Sequence, residues 1–242
     1  MITYRTLTDE DFSQIYRANH DAFSDYSVLY HTKPDGLRRM HLINGVRFDF
    51  SVGAFDGEKM VGFIINALGD WNGRRTVYDS GTGVIPEYRR QGISREMFDF
   101  ILPILRESKI EQYLLEVFTD NEPAVRLYQN LNFEITRRLL VFKRTDTNFV
   151  AEKLNEKVEI KEMRTFDWDL LKSFWTYPPS WQNSTASMKR SLPSETINKT
   201  VLGLYLKNKI KKYIFKQKNH FLKMQKQYGD GWIRTLKQKL RS

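Results

Sequence analysis

The residues with the clearest chemical purpose lie in the run Val84-Ile85-Pro86-Glu87-Tyr88-Arg89-Arg90-Gln91-Gly92-Ile93-Ser94. An apolar stretch reaches a proline, an arginine pair and a glycine follow, and a helical pattern opens near Ile93. That order predicts a basic, glycine-containing turn at a helix N-terminus. Such a turn offers unpaired backbone N–H groups and the positive end of the helix dipole to an anion. Gly92 has no Cβ to hold the anion away. Arg89 and Arg90 are charge-assisted donors suited to phosphate oxygens. The simplest ligand for this chemistry is a pyrophosphate.

A second constellation follows. Leu114-Leu115-Glu116-Val117 reads as a strand. Asn121-Glu122-Pro123-Ala124-Val125-Arg126-Leu127-Tyr128 reads as a helix start, with Asn121 as N-cap and Pro123 in the first turn. Ala124, Leu127, Tyr128 and Leu131 share a helical face, and Asn132-Phe133 ends it; Asn accepts a left-handed C-cap. Together the two segments resemble the GNAT superfamily of acyl-CoA-dependent N-acetyltransferases. Arg89-Arg90-Gln91-Gly92-Ile93-Ser94 is similar to the family's Arg/Gln-x-x-Gly-x-Gly/Ala signature, with Ser94 in place of the final Gly or Ala. The downstream segment is similar to its Leu-Glu-Val, Asn-x-x-Ala-x-x-Leu-Tyr and Gly-Phe pattern, with Asn132 in place of Gly. The resemblance covers residues 1–145.

The resemblance implies acetyl-CoA as co-substrate and direct attack of an amine on the thioester in a ternary complex. It implies that Val84, Ile85, Arg89, Arg90, Gln91, Gly92, Ile93, Ser94, Asn121 and Tyr128 contact the cofactor. Tyr128 matches the tyrosine that serves the leaving thiolate, and a backbone N–H at or near Val84 is expected to meet the thioester oxygen, where the fourth strand splays from the fifth. Two carboxylates compete for the base: Glu116, in the Leu-Glu-Val position, and Asp79 on the fourth strand. Alternation puts Glu116 and Phe118 on one sheet face and Val117 on the other, but does not say which face borders the cleft. The acceptor is expected to be a primary amine of a small molecule or peptide. His31 and His41 lie in the variable region where the family builds its acceptor pocket; Phe23, Tyr26, Tyr30 and His31 are candidates to line it, with core or surface aromatics as the alternative for each. The competing reading is a non-catalytic CoA-binding or protein-interaction module.

The elements that must position these groups follow from hydrophobic period. Strands are expected at Ile2–Leu7, Ser51–Phe55, Met60–Ala67, Thr76–Ile85, Tyr113–Phe118 and Phe133–Lys143, the last closing the sheet. Asp56-Gly57 marks a hairpin. Helices are expected from Phe12, near Pro34, over Ile93–Glu107 with a possible kink at Pro103, and over Pro123–Asn130. The fold class is α/β: a GNAT-like mixed central sheet flanked by helices, followed by a smaller, partial GNAT-like α+β domain.

That second part begins after about Asp146. Leu202-Gly203-Leu204-Tyr205 and Ile210–Ile214 repeat the pattern of Val52-Gly53-Ala54-Phe55 and Met60–Ile64. The expected organisation is a catalytic domain over 1–145, a linker over 146–157, an incomplete tandem copy over 158–217 without a phosphate turn, and a basic tail over 218–242. In the tail, Phe221, Met224, Tyr228, Trp232, Leu236 and Leu240 recur at near-helical intervals.

Composition bounds the remaining possibilities. The 242 residues contain no cysteine, which excludes disulfides, thiolate metal sites and a cysteine nucleophile. The four histidines lack metal-ligand spacing, and no metal is expected. The net charge of +10 is unevenly placed: residues 1–150 hold 19 Lys+Arg against 21 Asp+Glu, and residues 151–242 hold 20 against 8. The basic C-terminal segment could meet nucleic acid or an anionic surface, although a solvated lysine face on its own domain is the commoner use of such a pattern. No apolar run reaches the length of a membrane span or signal core, so a cytoplasmic location is expected. Oligomeric state is not legible.

Overall fold

In the computed structural model, residues 1–26, 33–140, 158–162, 167–191, 199–206, 209–217 and 232–240 are described. Tyr30 and His31 lie outside them, as do Phe221, Met224 and Tyr228. The first elements follow the expected order: β1 (Ile2–Thr6), α1 (Phe12–Ala22), α2 (Pro34–Asn44), β2 (Val52–Asp56), β3 (Lys59–Trp71), β4 (Arg74–Val84), α3 (Ile93–Glu107), β5 (Gln112–Phe118), α4 (Glu122–Asn130) and β6 (Glu134–Leu140). Then come β7 (Val158–Glu162), α5 (Trp168–Ser173), α6 (Thr185–Ser191), β8 (Lys199–Leu206), β9 (Lys209–Gln217) and β10 (Trp232–Lys239). They fall into two units, Met1–Val141 with Gly231–Ser242, and Phe142–Asp230.

Local chemistry explains the elements around the site. Gly57, at φ 58°, turns β2 into β3. The next hairpin is longer than the apolar pattern suggests: β3 and β4 pair out to Trp71↔Arg74 around Asn72-Gly73. Both turn residues have positive φ, 54° and 74°, the geometry that lets a two-residue turn follow the twist of its strands. The solvated polar ends of these strands have no hydrophobic signal, so the sequence ends β3 too early, at Ala67 rather than Trp71, and starts β4 too late, at Thr76 rather than Arg74. In α3 the residues Ile93, Met97, Phe98, Ile101, Leu102 and Leu105 are all buried, as their spacing predicts, and the helix runs through Pro103.

Among the described residues of the first unit, seven strands form one sheet in the order β1-β2-β3-β4-β5-β10-β6. Here the expectation for the C-terminus is corrected. Residues 232–239 are a strand, not part of a basic helical tail, and they pair antiparallel with both β5 and β6. Leu236 is fully buried and Leu240 nearly so; the Gln238 amide donates to the Leu131 carbonyl at 2.8 Å. β6 therefore does not close the sheet against β5. Spacings of four residues fit a helix turn and also fit one face of a strand, because four is a multiple of two. The partners that decide between them are a hundred residues away.

One face of the sheet is covered by α1 and α2. Phe23 meets Phe63 edge-on at 6.3 Å, and Asn44 of α2 donates to Ser80 of β4 at 2.8 Å. The other face is covered by α3 and α4, whose Phe98 and Tyr128 rings meet at 5.9 Å. His41 belongs to the first of these layers. It is buried between Phe12 and Phe48, and burial, helped by the Arg38 charge, lowers its pKa to about 4. It is a neutral core residue.

In the second unit, β7, β8 and β9 form an antiparallel sheet. Its register reproduces that of β1, β2 and β3. Gly53↔Phe63 and Ala54↔Gly62 correspond to Gly203↔Tyr213 and Leu204↔Lys212. The bulge between Ala54 and Phe55 recurs between Leu204 and Tyr205.

Candidate active site

The site is built where two strands part. β4 and β5 run parallel and pair only over Thr76↔Gln112, Val77↔Tyr113 and Tyr78↔Leu114. Beyond that rung β4 continues to Val84 and β5 to Phe118 without pairing. A bulge starts the separation. Ile65 faces Gly81 and Asn66 faces Asp79, which leaves Ser80 as an extra residue on β4. Past the bulge, the Ile85 N–H is donated to the Val61 carbonyl at 3.0 Å. In an antiparallel ladder the neighbouring residue then turns its own N–H and C=O to the opposite edge. Val84 therefore presents its backbone toward the gap, whereas Ile85 is committed to β3.

The anion cradle lies at the exit of β4. Gly92, at φ 84°, caps α3, and Arg90 is also left-handed at φ 61°. The first intrahelical bond runs from the Glu96 N–H to the Gly92 carbonyl, so the N–H groups of Ile93, Ser94 and Arg95 have no partner inside the helix. Alternating left- and right-handed residues curl such N–H groups into an anion-binding concavity. Ser94 is small and half-buried, Arg90 is exposed, and Gln91 donates from its side chain to the Glu87 carbonyl at 3.1 Å. Ile93 packs under Gly62, its methyl 3.3 Å from where a Cβ there would stand.

Arg89 ties the exit of β4 to the end of α1. Its guanidinium donates to both Asp25 carboxylate oxygens, at 2.6 and 2.9 Å. It also donates to the Ala22 carbonyl at 2.8 Å and to the Val84 carbonyl at 3.1 Å. The cation is held by four hydrogen bonds to protein oxygens. Asn121 caps α4, accepting the Ala124 N–H at 3.3 Å and donating to the Tyr26 hydroxyl at 2.7 Å.

The two candidate carboxylates sit on opposite faces of the sheet. Asp79 lies beneath α4. Its Oδ1 accepts the Gly81 N–H at 2.9 Å, and its Oδ2 accepts the Thr82 hydroxyl at 2.7 Å. The Tyr128 hydroxyl approaches the same Oδ2 at 3.5 Å. Burial raises the Asp79 pKa to about 6, the hydrogen bonds opposing it. Burial also raises Tyr128 well above the usual phenol value, and the nearby Asp79 adds to this. The Tyr128 ring packs among Phe98 and Phe133, so the residue is both a core aromatic and a polar group at the gap. Thr82 was not legible as a partner of Asp79, because residues three apart on a regular strand face opposite ways. The bulge removes that parity, and Asp79-Ser80-Gly81-Thr82, a turn-like run inside a strand, is the trace it leaves in the sequence.

Glu116 lies on the α1–α2 face, two residues past the last β4–β5 rung. It accepts from the Tyr78 hydroxyl at 3.4 Å and pairs with Arg137 of β6 at 3.6 Å. The Arg137 guanidinium also stands 5.5 Å over the Trp71 ring. Tyr78 and Arg137 carry no motif signal; only the strand order brings them to Glu116.

The Acetyltransferase (GNAT) family profile matches residues 12–133, half of the chain. The chain belongs to the GNAT family. Among curated relatives, this GNAT protein is 30% identical over 98 residues to the N-terminal acetyltransferase B complex catalytic subunit NAA20 of Arabidopsis thaliana. It is 28% identical over 92 residues to the N-alpha-acetyltransferase 30 of Schizosaccharomyces pombe. Each match covers 38% of this chain, and 53% and 61% of the two relatives respectively. The GNAT chain is also similar in fold to an acetyltransferase-like protein of Pyrococcus horikoshii, with a TM-score of 0.61 at 14% identity, over 98% of this chain and 89% of that one. Among the described residues, no helix is long and apolar enough to cross a membrane.

Proposed function

We propose that this GNAT protein transfers an acetyl group from acetyl-CoA to a primary amine of a small molecule or peptide. The observation that carries the reading is the gap between β4 and β5, open beyond Tyr78↔Leu114. It is bordered by the Val84 backbone, the N–H groups of the α3 turn and the Tyr128 hydroxyl. Each meets one demand of an acyl-CoA thioester: a slot for an extended arm, donors for a pyrophosphate, and a proton source for sulfur. The curated relatives, by name an N-terminal acetyltransferase catalytic subunit and an N-alpha-acetyltransferase, favour a peptide α-amine among the possible acceptors.

In this reading the amine nitrogen attacks the thioester carbon, the carbonyl oxygen gains charge opposite the Val84 N–H, and the carbon–sulfur bond breaks. The thiolate takes the Tyr128 proton. The ammonium proton leaves through Glu116, directly or by way of water, on the α1–α2 side. Asp79, already bound to Tyr128, Thr82 and Gly81, suits holding the phenol better than receiving a proton from an amine across the sheet. Arg90, Gln91, Gly92, Ile93 and Ser94 border the pyrophosphate, and Asn121 fixes the start of α4. The absence of cysteine agrees with direct transfer. We further propose that residues 158–217 are a second, incomplete copy of the GNAT front half, on the strength of the repeated register and bulge.

Initial-rate kinetics with acetyl-CoA against a panel of amines and N-terminal peptides tests the function. Intersecting double-reciprocal lines are expected. Acetyl-CoA binding without transfer to any amine would favour a binding module, and a turnover-competent acetyl-protein would overturn direct transfer.

A further inference from the structure

Between α1 and the segment that follows it, Ala22–Tyr26 makes two anchored contacts on opposite sides of the gap. On the β4 side, Arg89 ties the Ala22 carbonyl and the Asp25 carboxylate to the Val84 carbonyl, with four hydrogen bonds between 2.6 and 3.1 Å. On the α4 side, the Tyr26 hydroxyl accepts from Asn121, the residue that caps the helix carrying Tyr128. Between the anchors, Phe23 packs edge-on against both Tyr26 and Phe63, so the link is not slack. We propose that Ala22–Tyr26 is a strap across the open ends of β4 and β5, and that Arg89, Asp25 and Tyr26 are positioning residues that set the width of the gap. The proposal rests on the assignment of that gap to acetyl-CoA. It gives Arg89 a role apart from phosphate binding.

The physical case is one of competing demands. β4 and α4 are joined to the core below the last rung but not to each other above it, since the β4–β5 ladder has ended there. Without a tie their separation would follow the packing of the sheet alone. The Arg89 side chain bonds to the carbonyl of the residue whose N–H faces the gap, so moving the strap moves Val84. The Asp25 carboxylate neutralises Arg89 and lies below its usual pKa because of that pairing; Arg89 lies above its own for the same reason. Glu87 and the Tyr26 phenol are the other titratable groups felt by Arg89. The pair stays charged across the neutral range, so the strap is a fixed brace there and not a pH switch.

A mutant cycle separates brace from phosphate ligand. Arg89→Gln, Asp25→Asn and the double variant are titrated with acetyl-CoA by calorimetry, with Tyr26→Phe alongside. The brace predicts that each single variant weakens acetyl-CoA by about five-fold, the scale of one well-made ion pair, and that the double variant is no worse than either single one. Tyr26→Phe, which retains the ring and loses the acceptor for Asn121, is expected to weaken it similarly. Weakening in Arg89→Gln with unchanged or tighter binding in Asp25→Asn would overturn the proposal, since releasing a phosphate ligand from its carboxylate should help it. Hydrogen exchange in the peptide spanning residues 19–26 reads the brace without any ligand. Equal acceleration in Arg89→Gln and Asp25→Asn supports it, and wild-type protection in both overturns it. A full chain that binds no acetyl-CoA, yet shows that equal acceleration, would reject the proposed function and leave the brace standing.

Discussion

At the residue scale, the chemistry divides between the two faces of one gap. Tyr128 reaches it from α4 and Glu116 from the α1–α2 side, so in the proposed mechanism acid and base do not compete for one position. Tyr128→Phe is expected to lower turnover about a hundred-fold while leaving acetyl-CoA affinity within about two-fold; steady-state rates and a binding titration together check this. Asp79 carries a signed pH prediction. Its folded pKa, about 6, lies above that of an ordinary carboxylate. Between pH 4 and pH 6 the folded state therefore holds a proton that the unfolded chain has lost. This contribution to stability is complete below about pH 4 and is lost as pH rises through 6. Urea denaturation of Asp79→Asn beside the wild type should show the variant gaining up to about 3 kcal/mol, relative to the wild type, over that interval. A pH-independent difference would refute it.

At the element scale, the start of α3 and the buried face of α2 do separate work. The cap of α3 requires a left-handed residue, and a Cβ on Gly92 would meet only an ordinary contact, the Glu96 Oε1 3.9 Å away. The penalty of Gly92→Ala is thus backbone strain rather than a clash, about 1 kcal/mol. Chemical denaturation should show that loss together with weaker acetyl-CoA binding, as the turn relaxes. On α2, His41 acts opposite to Asp79. Its folded pKa of about 4 lies below that of free imidazole, so the unfolded chain takes up a proton first as pH falls from about 6.5. The stability it provides when neutral is lost on acidification, and a His41→Leu variant is expected to show a flatter stability profile from pH 6.5 to pH 4. Equal slopes in the two proteins would rule this out.

At the scale of the whole molecule, the first unit is not continuous in sequence. Its sheet needs β10, which lies between β5 and β6 and satisfies the edges of both. A chain ending at residue 230 would leave two edges unpaired and remove Leu236 and Leu240 from the core. It is expected to be insoluble or to lack cooperative unfolding, and a co-expressed segment 231–242 should restore a folded species. A soluble, cooperatively melting truncation would show that β10 is dispensable. The basic residues of the C-terminal segment have a corresponding reading: Lys237 and Lys239 are borne by a strand of this sheet.

Much of this protein was written locally. The α3 turn, the N-cap at Asn121, the apolar face of α3 and the strand-like runs of β2 to β5 all follow from residue types at short spacing, because turns, caps and amphipathic periods are properties of a few consecutive residues. The cysteine-free composition likewise excludes a cysteine nucleophile. Tertiary structure alone decided the rest. It assigned Glu116 and Asp79 to opposite faces, since alternation gives two faces but no direction, and a bulge at Ser80 reset the parity. It paired Arg89 with Asp25, since a cation goes to whichever anion the fold brings nearest. It turned a helix-spaced segment into a central strand, since the partners that define a strand lie far away in the chain.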